Sequence, residues 1–173
     1  MFYTLKNDFL TVKINDKGAE LSSVLGKNGC EYMWQPKEGH WQDHAPWLFP
    51  ICSRLYGGYY TYRGRKYEMG GHGFAHSQYF TGMKVSETAL HMTLTENAET
   101  LRQYPFEFLL TVTYRLVENH LLCDVQIVNP GQDELIAGFG GHPGFQVPLG
   151  GSGKFEDWYL EFENECAPYE MTL

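Results

Sequence analysis

A chain of 173 residues is long enough for one domain with its own core. Its 43% hydrophobic and 20% charged content is that of a globular protein, which excludes disordered and fibrous classes. The formal net charge of −8 excludes nucleic acid as the expected partner, because phosphate-backbone binding needs clustered Lys and Arg. The first residues, MFYTLKNDFLTVKIND, lack a basic start followed by an apolar run, and no segment approaches the roughly 20 apolar residues that span a bilayer. Cys30, Cys52, Cys123 and Cys166 are widely separated and read as reduced thiols. The expectation is a cytoplasmic protein with no membrane partner, organised as a single domain over residues 1–173.

In chain order, nearly every readable segment alternates apolar and polar residues and ends at a turn signal, the pattern of an antiparallel all-β protein. Phe2 to Lys6, Phe9 to Ile14, Leu21 to Leu25 and Cys30 to Trp34 are predicted strands, separated by Asn7-Asp8, Asn15-Asp16-Lys17-Gly18 and Gly26-Lys27-Asn28-Gly29. Tyr59 to Tyr62 and Arg65 to Met69 form a predicted hairpin about Arg63-Gly64, with Gly64 free to take a positive φ. Leu90, Met92 and Leu94 share one strand face. Ala98 to Gln103 is a short helical turn before Pro105. Phe106, Phe108, Leu110, Val112, Tyr114 and Leu116 line one face of a long strand, opposite Glu107, Thr111, Thr113 and Arg115. Leu121 to Val128 returns beside it and stops at Asn129-Pro130-Gly131. Trp158 to Glu163 is a further predicted strand. The ending in CAPYEMTL, without a closing element, reads as a truncated polypeptide.

Three segments break the alternation and concentrate Gly, His and Arg, as loops that present functional groups above a sheet do: WLFPICSRLYGG, GGHGFAH and FGGHPGF. In the first, Leu48, Phe49 and Ile51 anchor the loop, and Arg54 projects a planar fork suited to hydroxyls or a carboxylate; a surface ion pair is the plainer use of the same side chain. In the second, His72 lies between Gly71 and Gly73, where backbone can crowd a ligand. His72 and His76 stand four apart, but Gly70, Gly71 and Gly73 disfavour the helix that a zinc pair needs, and Gly73 replaces the glutamate of His-Glu-x-x-His, so no metal is expected. In the third, His142 follows three glycines and precedes Pro143, and a histidine that titrates near neutrality can exchange protons. Each histidine taken alone is read equally well as structural. GGSGK is not a phosphate loop, since Phe155 and Pro148 occupy its required positions, and no Gly-x-Ser-x-Gly elbow is present.

Taken together and in this order, FPICSRLYGGYYTYRGRKYEM, GGHGFAH, FGGHPGFQVPL and WYLEFE resemble the aldose 1-epimerase family, especially its LacX-like, mutarotase-related branch. The resemblance covers almost all of this chain and the first part of a typical member. It implies a galactose mutarotase-like antiparallel β-supersandwich, incomplete at the C-terminus, with a sugar lying across the concave face of the large sheet. It further implies interconversion of α and β anomers of a free hexose, with no cofactor and no metal, by opening and reclosing the ring. An acid must protonate the ring oxygen while a base takes the proton of the C1 hydroxyl, and the roles reverse on closure. By the resemblance His142 is the catalytic acid, His72 a catalytic residue that also orients the sugar, and Arg54 and His76 further substrate-binding residues.

Two departures carry consequences. Family members commonly have arginine where His76 stands, which bears on substrate choice. The family's glutamate base and a sugar-binding aspartate come from segments with no match here; Glu156, Asp157, Glu161 and Glu163 do not sit in the corresponding motif. The 173-residue chain is therefore expected to have little mutarotase activity. A non-catalytic carbohydrate-binding or sensing protein is the alternative. Epimerisation of a hexose 6-phosphate is another, for which Arg63, Arg65 and Lys66 are the candidate cations, although a solvated hairpin edge suits them equally. Exposed sheet edges predict self-association.

Overall fold

A computed structural model of the protein describes residues 1–161 and 163. It is all-β and antiparallel, with a single one-turn α-helix among the described residues. The first sheet is a meander of β1 (Phe2–Lys6), β2 (Leu10–Asn15) and β3 (Leu21–Gly26). Its first turn forms because the Asn7 carboxamide oxygen accepts the N–H groups of Phe9 and Leu10 at 2.9 and 2.8 Å, a local bond that Asn makes readily. The second sheet has the order β10-β9-β8-β7, built from β7 (Thr81–Ser86), β8 (Ala89–Thr95), β9 (Leu109–Val117) and β10 (His120–Val128). Between β8 and β9 lies α1 (Thr100–Gln103), whose start is fixed by the Asn97 side-chain oxygen accepting the N–H groups of Glu99 and Thr100.

The alternation of β2 and β9 explains why the sheets close on each other. Val12 and Ile14 on one, and Leu110, Val112 and Tyr114 on the other, are all 0% exposed and belong to one hydrophobic core that also takes in Leu5, Leu90 and Met92. Each such side chain contributes roughly 1.5–3 kcal/mol on burial. The sheets are also tied by backbone: the Lys6 N–H donates to the Glu87 carbonyl at 2.8 Å. Across the core the Tyr114 hydroxyl donates to the Ala19 carbonyl at 2.6 Å and accepts the Trp47 indole N–H at 2.7 Å. Burial pushes this phenol far above its ordinary pKa, so it stays a neutral donor.

The Tyr59 hairpin is present as β5 (Tyr59–Tyr62) and β6 (Arg65–Glu68). Arg63 and Gly64 both have positive φ, 49° and 77°, the pairing that a tight two-residue hairpin turn requires. Two minimal strands complete the frame: β4 (Trp47–Leu48) pairs antiparallel with β11 (Gly140–Gly141).

Two predicted strands are not ladders. Cys30 to Trp34 contributes only isolated bridges, Leu25 to Glu31 and Met33 to Phe145. The reason is Glu31: its Oε1 accepts the N–H groups of Val24 and Met33 at 2.8 and 2.9 Å, so a side chain takes the place of ladder carbonyls. Trp158 to Glu161 pairs with nothing among the described residues and follows a 3₁₀ turn at Phe155–Asp157; Phe162, within the same predicted strand, lies outside them. In β7 the alternating apolar residues Met83 and Val85 face solvent and not the core. Among the described residues no helix is long and apolar enough to cross a membrane.

Candidate functional site

The segment from His44 to Pro50 is the spine on which the three Gly-, His- and Arg-rich segments meet. On one side β4 carries β11, and the pairing continues as the His142 N–H donates to the Pro46 carbonyl at 3.1 Å and the Gly144 N–H to the His44 carbonyl at 2.8 Å. On the other side Phe49 makes a parallel bridge with Gly73, and the Phe49 carbonyl accepts the N–H groups of Phe74 and Ala75 at 2.9 and 3.2 Å. Phe49 and Leu48 are buried, so apolar packing holds the spine while its backbone presents the loops. Gly73 is dictated by this approach: its φ is +72°, and a Cβ there would lie 2.2 Å from the Phe49 carbonyl oxygen.

This stitching brings His72, His76 and His142 to one small hollow of about 100 Å³, lined also by Trp41, Asp43, Pro46 and Leu48. The His72 and His142 rings stand 5.7 Å apart, edge to face, and the Trp41 indole lies 5.2 Å from His142 on its other side. His72 is oriented by two bonds to Ser53: its N–H donates to the Ser53 carbonyl at 2.7 Å, and its Nδ1 accepts the Ser53 N–H at 3.0 Å. A backbone N–H can only donate, so Nδ1 is unprotonated and the neutral ring carries its proton on Nε2. His142 is exposed at the rim of the hollow.

His76 differs from both. Its Nδ1 is buried without a partner, and burial lowers its pKa below 6.5, helped by His72 and Lys17 and opposed by the carboxylates of Asp43 and Glu20. Its segment is a 3₁₀ turn, Ala75–Ser77, preceded by positive φ at His72 and Gly73, so the two histidines do not share a helix face.

Arg54 is exposed and does not line the hollow; its Cγ lies 3.1 Å from where a Gly71 Cβ would be, placing the side chain beside the residue that precedes His72. No ion pair holds it among the described residues. Trp41 and Asp43 were not singled out by sequence, because WQDHAPW has neither the glycines nor the alternation that marked the other loops; two tryptophans within seven residues are the signal that could have found them. A larger hollow of about 370 Å³, which His142 also borders, is lined by Leu21, Trp47, Leu121 and Phe145 among others and is mostly apolar. The smaller hollow is where polar groups converge, the usual mark of a ligand site.

An antiparallel β-framework thus delivers three imidazoles, an indole and a carboxylate to one hollow through loops, which makes this hollow the candidate small-molecule site. The chain belongs to the aldose 1-epimerase family, whose profile matches residues 1–169. It is 36% identical over 168 residues to the chromosomal LacX protein of Lactococcus lactis, covering 94% of this chain and 56% of that protein. The fold is similar to that of a galactose mutarotase related enzyme from Lactobacillus acidophilus, with TM-score 0.87 and 40% identity over 91% of this chain and 53% of that one. A galactose mutarotase-like protein from Lactobacillus casei gives TM-score 0.82 and 34% identity, covering 85% and 50%. The chain thus spans about half the length of the relatives it matches. The expected all-β, galactose mutarotase-like fold is what the structure and these relatives show, and family membership supports a sugar-related function.

Proposed function

We propose that the hollow binds a free hexose and contributes the acid side of an aldose 1-epimerase site. The observation that carries the reading is the 5.7 Å approach of His72 and His142, two imidazoles from segments 70 residues apart in the chain, held over one hollow by the same backbone spine. His142, exposed where it lines the hollow, is the acid that protonates the ring oxygen as the C1–O5 bond opens and recovers that proton on closure. His72, with its Nε2–H fixed by Ser53, donates a hydrogen bond to a hydroxyl and sets the sugar's orientation. Arg54 and His76 act as outer hydroxyl contacts. The reaction needs no redox change, and the separated thiols Cys30, Cys52 and Cys123 suit a cytoplasmic setting.

The C1 hydroxyl also needs a base, and Asp43 is the one carboxylate among the described residues lining the hollow. The 173-residue chain is therefore expected to bind D-galactose or D-glucose and to accelerate anomer exchange only weakly. Calorimetric titration and polarimetry on freshly dissolved α-anomers test both halves. Heat of binding with a small rate enhancement supports the reading; absence of binding to either sugar refutes it, and a rate near that of the full-length Lactobacillus acidophilus relative refutes the expectation of weak acceleration. The phosphorylated-hexose reading draws no support from the hairpin: Arg63 pairs with Asp133 at 2.7 Å, Lys66 lies 3.5 Å from Glu68, and neither they nor Arg65 line the hollow.

A further inference from the structure

The wall of the hollow facing the imidazoles is built by the loop His40 to Pro46, and its side chains alternate in purpose. Gln42 turns back and donates to the carbonyls of Lys37 and His40 at 2.8 and 2.6 Å. His44 turns towards Glu20, 3.7 Å away. The odd-numbered pair between them, Trp41 and Asp43, faces the hollow. The loop is fixed at both ends: the Trp41 carbonyl accepts the Trp34 indole N–H at 3.0 Å, and Glu20 Oε1 accepts the N–H groups of His44 and Ala45 at 2.8 and 3.0 Å. The indole itself is seated over Gly144, where a Cβ would come within 2.6 Å of its ring. Yet Trp41 keeps 38% of its surface exposed, so a large apolar face is held in place at the rim without being covered.

We infer that Trp41 and Asp43 form the second wall of the sugar site, with Trp41 a stacking platform for the C–H face of a pyranose and Asp43 an acceptor for its hydroxyls. This rests on the reading of the hollow as a hexose site. The chemistry is complementary to the opposite wall: His72 offers an Nε2–H donor, whereas Asp43 offers only acceptors, so a hydroxyl that donates to Asp43 leaves its neighbour to accept from His72. A flat apolar ring flanked by one donor and one acceptor is the recognition set for a vicinal diol on a pyranose. The loop's pinned backbone and the seat of Trp41 over Gly144 mean that the indole is not ordered anew on binding, which removes a cost of association.

The test is a D-galactose titration of the 173-residue chain followed by the tryptophan indole N–H signals and the imidazole signals of His72 and His142. The Trp41 indole signal is expected to move along the same saturation curve as the two imidazoles, while that of Trp158, which does not line the hollow, stays still. Asp43→Asn is expected to raise the Kd by about fivefold or more, as loss of a charge-assisted acceptor does, and Trp41→Phe, which keeps a ring over Gly144, by a smaller factor. If the imidazoles respond while Trp41 does not and Asp43→Asn stays within about twofold, the second wall is wrong and the hexose site stands. If no signal responds, both fall.

Discussion

Replacing Gly73 by alanine should be the most damaging single methyl that can be added to the frame of the site. Two costs add. Residue 73 sits at φ +72°, where a side chain costs roughly 1–2 kcal/mol. The new Cβ would also lie 2.2, 2.5 and 2.7 Å from the Phe49 oxygen, the Phe49 carbon and the Pro50 nitrogen, all backbone atoms that cannot rotate away. Relief requires the two strands of chain to part, which strains the bonds from Phe74 and Ala75 to the Phe49 carbonyl, at about 0.5–1.5 kcal/mol each. The sum is about 2–5 kcal/mol, and at roughly 2–4 °C per kcal/mol for a chain of this size the Tm falls by about 4–20 °C. Gly64→Ala is the matched control: φ is +77°, nearly the same, but nothing lies within 4 Å of the added methyl, so only the conformational cost of about 1 kcal/mol applies. Thermal melts followed by near-ultraviolet circular dichroism distinguish the two. Equal losses of Tm would refute the claim that close backbone approach, and not φ alone, fixes glycine at position 73.

Tyr114→Phe leaves the Trp47 indole N–H and the Ala19 carbonyl without their buried partner and should cost about 1–3 kcal/mol; urea unfolding measures it, and an unchanged midpoint would contradict the role of the hydroxyl. His76 is held neutral by burial, so its folded pKa lies below its unfolded value of 6.5. The stability it contributes is present above pH 6.5 and is lost as pH falls below it, because protons then bind the unfolded chain preferentially. His76→Gln should accordingly flatten the fall in Tm between neutral and mildly acid buffer, and an identical slope in both proteins would sink this assignment. Among the described residues β10 pairs only with β9, leaving an edge of nine residues on which Leu122 is 38% exposed. Light scattering after size exclusion should show association that rises with concentration and is reduced by Leu122→Lys; a sharp monomer at every concentration would refute it.

Strands with one buried face were legible in the sequence because burial imposes period two. Phe108, Leu110, Val112 and Tyr114 are all fully buried, as their alternation requires, even though the hydrogen-bonded ladder begins only at Leu109. Where burial is slight the alternation is short and uninformative: β7, TGMKVS, has only Met83 and Val85 in step, both exposed at the sheet edge. Cys30 to Trp34 misled because alternation does not reveal that a carboxylate, that of Glu31, will take the backbone donors. For the site, glycine and histidine density found His72, His76 and His142, but the pattern carries no information on what faces them. Trp41 and Asp43 come into view only once the spine at His44 to Pro50 sets the loops side by side, and Arg54 is seen to lie beside Gly71 instead of lining the hollow.

A crystal structure of the chain soaked with D-galactose addresses the central claim most directly. The account predicts one pyranose across the hollow, its ring oxygen within about 2.6–3.2 Å of the His142 ring and a hydroxyl at similar distance from His72 Nε2. A sugar seated instead in the apolar hollow beside Trp47 and Leu121, or one that touches only one of the two histidines, would contradict it.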